Sequence, residues 1–365
     1  MSTSPARPTA DRCPGLLRPH VAEDGALVRL RVPGGVVRTD VLTRLADLAG
    51  RFGAPVLQLT SRGNLQLRGL PDPLPEAFVA AVEATGLLPS ASHERVRNIL
   101  ASPMAPGLQP LVRALDRALC ADPALAALPG RFLFAVADAA GSPLSEPYDV
   151  AYQQLSPRGG LLLAGGRGRP VAPEDAVDAV LEVAQAFLAH APEGVWNVRD
   201  LPDGSPVLDG LFACSPSVAP PVRPGPAGAD LVAGVPLGML TPGHVAALAA
   251  EARFVVVTPW RSVVVPDGPA AAGRLAAAGL VVSPESAAAR VSACVGAPHC
   301  AKGRSGTLAV ATETVRRADA AGRTLPAPVH VVGCERRCGA REGDVVALAP
   351  ADADAVLSLL PGDPA

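Results

Sequence analysis

Four cysteines near the C-terminus are the residues of this 365-residue chain best suited to do chemistry. Cys294 and Cys300 flank Val-Gly-Ala-Pro-His, Cys334 and Cys338 flank Glu-Arg-Arg, and residues 301–333 separate the two pairs. Four thiolates satisfy either Zn²⁺ or a [4Fe–4S] cluster, because both accept soft anionic sulfur. Zinc knuckles favour short Cys-x2-4-Cys turns in both pairs. A five-residue gap containing Gly296 and Pro298 instead makes a loop wide enough to wrap a cubane. The spacing favours Cys294, Cys300, Cys334 and Cys338 as ligands of an iron–sulfur cluster, over a zinc module or four inert core thiols. Seven cysteines is an odd number, and this clustering reads as a metal site rather than a disulfide framework. Cys13, Cys120 and Cys214 receive no role, and the helical context of Cys120 reads as core.

The net charge of −2 supplies no global field that would attract nucleic acid or a membrane surface, so neither is an expected partner. Any anionic ligand must be met by local cations. Of the 32 basic residues only Lys302 is a lysine. Much of that bias is compositional, although arginine also suits bidentate carboxylate binding. Met1 to Gly15 holds Arg7, Asp11 and Arg12 but no apolar run, unlike a secretory signal. No 18-residue window reads as a membrane span. The expectation is a soluble, cytoplasmic protein. Aromatic residues make up 3% of the chain, so its cores must be built from Ala, Val and Leu.

The elements that would carry these residues occur twice. From Val32 to Pro103 the pattern predicts a Pro-Gly turn, a helix bearing Leu42, Leu45, Leu48 and Phe52, and strands Val56–Leu59 and Leu65–Leu67 around Thr60-Ser61-Arg62-Gly63-Asn64. A second helix, Glu76–Thr85, follows, and the unit ends in Glu94-Arg95-Val96-Arg97-Asn98. From Val235 to Cys300 the same order returns. Thr241-Pro242 stand as N-cap and first helical residue, the helix runs to Glu251, and strands Phe254–Val257 and Ser262–Val265 flank Thr258-Pro259-Trp260-Arg261. After each unit a turn feeds a buried strand, at Leu128–Val136 and at Leu325–Gly333. The order A, B, A′, B′ predicts a leader (1–26), a first half-domain (27–103) and an α/β domain (104–214). A Pro-rich linker (215–234), a second half-domain (235–293), a cluster-binding domain (294–349) and a tail (350–365) complete it. The first copy carries Arg62, Gln66, Arg68, Arg95, Arg97 and Asn98 where the second gains cysteines. One half is suited to anions and the other to a metal.

Cys-x5-Cys…Cys-x3-Cys resembles the cluster motif of the sulfite/nitrite reductase superfamily, and the A segments resemble its ferredoxin-like half-domains. Arg29-Leu30-Arg31-Val32-Pro33-Gly34-Gly35, Thr60 through Gln66, and Arg97-Asn98 are similar to that superfamily's tetrapyrrole and substrate contacts. The resemblance implies an α+β fold with duplicated architecture: two ferredoxin-like half-domains, each followed by an α/β catalytic-type domain, about a pseudo-two-fold. It also implies tetrapyrrole contacts at Arg29, Arg31, Arg62, Gln66, Arg97 and Asn98, with Lys302 and Arg304 adding to the rim. If sirohaem is present, Cys338 is the bridging position.

Sulfite reductases carry Lys-x-Lys after the first Leu-Pro, where this chain has Arg131 and Leu133. Losing a cation from a site that delivers protons to a small anion argues against sulfite reduction. Cys13-Pro14-Gly15-Leu16-Leu17-Arg18-Pro19-His20 and the stretch around Cys294 are instead similar to the precorrin-3B synthase branch. That branch implies an O2-dependent monooxygenase acting on precorrin-3A in cobalamin biosynthesis, hydroxylating C20 with closure of a γ-lactone. NADH would supply electrons indirectly through a separate reductase, because Gly165-Gly166-Arg167-Gly168 lacks the spacing and acidic partner of a dinucleotide loop. The oxygen-activating centre is either sirohaem or a mononuclear non-haem iron, and the six scattered histidines name no triad. The competing expectations are a sirohaem sulfite or nitrite reductase and a non-catalytic four-cysteine zinc module. The segment after Cys338, Gly339 to Asp344, departs from the basic-Pro pattern of the family.

Overall fold

The computed structural model describes residues 11–360; the outer parts of the expected leader and tail, 1–10 and 361–365, lie outside the described residues. Short apolar and β-branched runs build two five-stranded antiparallel sheets. In spatial order the first holds His20–Ala22, Gly25–Leu30, Leu65–Leu70, Leu57–Leu59 and Met239–Leu240. The second holds Gly225–Ala227, Asp230–Gly234, Ser262–Val265, Phe254–Val257 and Val36–Arg38. Each half-domain therefore lends one edge strand to the other sheet. A turn steers this exchange: Gly34 and Gly35 have φ of 68° and 75°, and a Cβ on Gly35 would overlap the Val257 carbonyl.

Helices Thr39–Phe52 and Pro242–Glu251 pack on each other, and their apolar faces join Val28, Leu65, Leu67, Leu231 and Val263 in one core. The second helix begins in a reciprocal cap. Thr241 Oγ1 accepts the His244 N–H at 3.2 Å while His244 Nδ1 accepts the Thr241 N–H at 3.2 Å. Strand periodicity sends the intervening side chains to the opposite faces. In the first sheet that face carries Gln66 and Arg68; in the second it carries Val232, Val256 and Val264, packed against Met104 and Val222.

Two α/β units follow the half-domains. The first runs Ile99–Ala101, Phe134–Ala137 and Val150–Ser156 in parallel, then adds Gly159–Ala164, Arg167–Val171 and Phe212–Ala213 antiparallel. Helices Gln109–Ala121 and Ala176–His190 cover it. The second keeps only the parallel part, Val291–Ala293, Val329–Val332 and Val345–Leu348, with helix Thr307–Ala320 after its first strand. The registers coincide. Ile99 faces Phe134 as Val291 faces Val329, and Phe134 faces Val150 as Val329 faces Val345.

The expected domain boundaries need correction, because burial ignores them. The leader already contributes buried Leu16 and the strand His20–Ala22. The expected linker contains Gly225–Ala227 and Asp230–Gly234, both inside the second sheet. Strands Ile99–Ala101 and Val291–Ala293 belong to the α/β units rather than to the half-domains preceding them. The tail folds too: helix Ala353–Leu357 places Val356 in the core of the second α/β unit. Among the described residues no helix is long and apolar enough to cross a membrane.

Candidate cluster and anion-binding site

Cys294 and Cys334 stand one and two residues beyond the C-terminal ends of adjacent parallel strands, Val291–Ala293 and Val329–Val332. That edge of a parallel sheet is a common place for ligands. The Cys294 N–H donates to Val331 O at 3.0 Å, its carbonyl accepts Thr307 Oγ1 at 2.6 Å, and its sulfur accepts the Gly333 N–H at 3.3 Å. Cys338 is the only exposed member of the four, and its carbonyl is held by His330 Nε2 at 2.9 Å.

The first copy repeats this geometry with different chemistry. Ser102 occupies the place of Cys294: its N–H donates to Val136 O at 3.0 Å and its Oγ accepts the Asp138 N–H at 3.0 Å. Asp138 stands where the second copy has Gly333. One backbone arrangement thus serves twice, once with oxygen and once with sulfur.

The donor set of the second copy, four cysteines whose charges act on one another, is of the kind that would hold a thiolate-ligated cluster. Partial desolvation pushes the Cys338 thiol up, and charge on Cys294, Cys334 and Cys300 pushes it further against the pull of Arg336. A cationic iron centre would hold together four thiolates that repel one another, and an N–H···S bond of the Gly333 kind would tune it. Among the described residues no group of three or more His, Cys, Asp or Glu converges on a single metal ion. A cubane spreads its ligands around a larger body than one ion.

The arginines form the other half of the site. Arg29 Nε and Nη2 donate to Gln66 Oε1 at 3.2 and 2.8 Å, and Gln66 donates to Gln58 at 2.7 Å. Arg31 is 2% exposed; its Nη1 meets the Pro14 and Arg29 carbonyls and its Nη2 the Arg95 carbonyl, while its Nε has no partner. Arg62 Nε and Arg131 Nε are also buried without partners, and Arg131 lies over the Trp196 ring at 5.7 Å. Among the described residues none of these four arginines forms an ion pair. Burial pushes Arg29 down to about 10 and Arg31 down to about 9, and mutual repulsion adds to it. Arg62 is lowered by burial and next to Arg131. Buried guanidinium groups without carboxylates are costly, and an anionic ligand is what would compensate them.

Arg68 ties this face to the cluster loop. It pairs with Asp24 at 2.6 Å and donates to the carbonyl of His299, the residue before Cys300, at 3.1 Å. Lys302 and Arg304 are exposed just beyond that loop, with Arg304 3.8 Å from Glu335.

Two expected contacts are corrected. Arg97 is already spent within the protein: Nε and Nη2 grip Asp116 at 2.8 and 2.7 Å and Nη1 donates to Leu87 O at 2.9 Å, so its fork is filled. Asn98 is 1% exposed and donates to the carbonyls of Arg95, Gly130 and Phe132 while accepting from Asn64 at 3.1 Å. It shapes the loop that presents Arg131. Replacing Asn98 with Ala leaves these groups unpaired and should cost roughly 3 kcal/mol. Urea denaturation measures it, and a loss under about 0.5 kcal/mol, the range of an ordinary surface substitution, would contradict this role.

Sequence reasoning missed the N-terminal part of the site. Asp11 accepts the Cys13 and Gly130 N–H groups at 2.9 and 2.7 Å and Arg95 Nη1 at 3.0 Å, while Glu94 accepts the Leu16 and Leu17 N–H groups. These bonds bring Cys13 beside Arg29 and Arg31. The compact Cys13-Pro14-Gly15 turn was the only signal available. Arg131, marked in the sequence only as the residue after the first Leu-Pro-Gly, and Trp196, which no local pattern marked, also line this region.

Residues 20–84 match the nitrite/sulfite reductase ferredoxin-like half domain. Over 58 residues, 16% of this chain and 13% of the relative, the sequence is 45% identical to a precorrin-3B synthase of Sinorhizobium sp. Over 82 residues, 22% of this chain and 16% of the relative, it is 40% identical to a ferredoxin–nitrite reductase of Synechococcus elongatus. The aligned segments thus cover well under two thirds of those relatives. The solved structure of the Mycobacterium tuberculosis NirA protein superposes with a TM-score of 0.63 at 18% identity, covering 85% of this chain and 68% of that one. The chain has the duplicated sulfite/nitrite reductase-like fold, with ferredoxin-like half-domains about a pseudo-two-fold.

Proposed function

We propose that this protein is an oxidoreductase that modifies a polycarboxylate tetrapyrrole, acting as a precorrin-3B synthase. The observation that carries the reading is the group Arg29, Arg31, Arg62 and Arg131, of which Arg31 is buried and the others half-buried, none with a carboxylate partner among the described residues, on the side of the first half-domain that Arg68 joins to the cysteine loop. Acetate and propionate groups around a macrocycle are suited to such forks. Leu133 supports the synthase over a reductase. It is 1% exposed, its N–H is spent on Asp149 at 2.8 Å, and it offers no proton where sulfite reductases have a second lysine.

In this reading Cys294, Cys300, Cys334 and Cys338 hold a [4Fe–4S] cluster, which supplies single-electron transfer when bound. Arg29, Arg31 and Arg62 orient the substrate by its carboxylates, and Gln66 holds Arg29 in place. One atom of O2 enters the C20–O bond of precorrin-3A and the other leaves as water. NADH, through a separate reductase, supplies the two electrons, and two protons balance the step.

The test is anaerobic purification with a visible spectrum and iron and sulfide assays, followed by incubation with precorrin-3A, O2 and a reductase. The expected outcome is a brown protein with about four irons per chain and a product heavier by one oxygen atom. Sirohaem bands with viologen-driven reduction of sulfite or nitrite would favour the reductase, and a colourless zinc protein would end both readings.

A further inference from the structure

We infer that Glu146, in the first α/β unit, is a positioning residue for Cys338. The inference rests on the cluster reading above only for its consequence, while the contact itself belongs to the protein alone.

Cys338 is the least enclosed of the four cysteines and lies on no strand. Its turn is also strained. Arg337 has φ of 47°, a left-handed conformation that a side chain disfavours, and Gly339 has φ of 89°. Such a turn persists when its surroundings hold it, and here part of the bracing comes from other domains. His330 holds the Cys338 carbonyl and Arg261 Nη2 donates to the Gly339 carbonyl at 3.1 Å. Arg341, three residues beyond Cys338, donates from Nη2 to the Pro259 carbonyl at 2.8 Å and lies 3.0 Å from Glu146 Oε1. Trp260 Nε1 donates to the same oxygen at 2.7 Å. One carboxylate oxygen thus gathers the C-terminal turn and the Thr258–Arg261 turn of the second half-domain.

The duplication explains why these groups meet. Glu146 precedes Val150 by four residues as Arg341 precedes Val345, and Val150 and Val345 are equivalent in register. Glu146 and Arg341 are therefore the same position in the two copies, paired across the pseudo-two-fold. Opposite charges there lock one half to the other. The pair is well enclosed, with Glu146 11% and Arg341 30% exposed, so it is less screened than a surface pair. The lock sits three residues from the fourth cysteine, where the chain departs from the basic-Pro pattern expected after it.

The test measures N-ethylmaleimide labelling of each cysteine in the full-length, metal-free protein by peptide mass spectrometry, alongside iron release to a chelator from the loaded protein. In Glu146→Ala, Cys338 should label about tenfold faster, the scale of one lost charge-assisted bond, with Cys294 and Cys334 unchanged. Glu146→Gln keeps an acceptor for Trp260 and loses only the charge, so Cys338 labelling should fall between wild type and Ala. Loaded Glu146→Ala should release iron faster than wild type. An unchanged Cys338 rate, or an equal rise at all three cysteines, overturns the positioning role. A wild-type protein that never binds iron sinks the cluster reading instead, and the labelling of the metal-free chain still decides the contact.

Discussion

Cys294→Ser is expected to fold as the wild type does and to hold no stable cluster. The first copy supplies the reason. Ser102 already occupies the equivalent place, with its Oγ accepting the Asp138 N–H at 3.0 Å and its own N–H on Val136 O, so the backbone tolerates a hydroxyl there. At residue 294 the hydroxyl would accept the Gly333 N–H in place of sulfur, and the Thr307 bond to the carbonyl would persist. The metal-free variant should lie within about 0.5 kcal/mol of wild type, as for substitutions that disturb no packing. Iron is a different matter, because a hydroxyl is a far poorer ligand than a thiolate. Iron should fall from about four per chain to well under one, with the visible colour lost and turnover gone. Iron and sulfide assays with a denaturation curve on the same sample check both halves, and full iron retention would remove Cys294 from the ligand set.

Arg62→Met and Arg97→Met should separate binding from stability. Both are arginines in the first copy, and both were expected among the tetrapyrrole contacts. Arg62 Nε is buried without a partner and its charge is disfavoured by burial and by Arg131. A methionine keeps the apolar stem and removes the disfavoured charge, so stability should change by less than about 1 kcal/mol. Affinity for the substrate should fall roughly 10–100-fold, the value of one charge-assisted bond to a carboxylate. Arg97→Met does the reverse. It strands Asp116, gripped by two bonds of 2.8 and 2.7 Å, beside a side chain only 5% exposed. Breaking such a pair costs about 3–5 kcal/mol, with little direct effect on affinity in the molecules that remain folded. Titration with precorrin-3A and urea denaturation distinguish the two. Equal affinity losses would put Arg97 back in the pocket.

Much of the architecture was legible because it rests on local periodicity and repetition. Strands Phe254–Val257 and Ser262–Val265 and helix Pro242–Glu251 fall where the short β-branched runs, the Thr241 cap and Pro242 place them. The cysteine spacing singled out the candidate metal ligands, since loop length is a property of the chain itself. Tertiary structure decided what depends on partners distant in sequence. Strands Val36–Arg38 and Met239–Leu240 complete each other's half-domain sheet, and no local pattern says across which edge a strand will pair. Arg31, Arg62 and Arg97 look alike as residues, and only burial reveals that Arg97 is spent on Asp116 while Arg62 Nε is left open. Asp11 reaches Gly130 and Glu146 reaches Arg341 through space. Composition and spacing determine which elements form and which atoms could bind metal or anion; packing alone determines which charges remain available to do so.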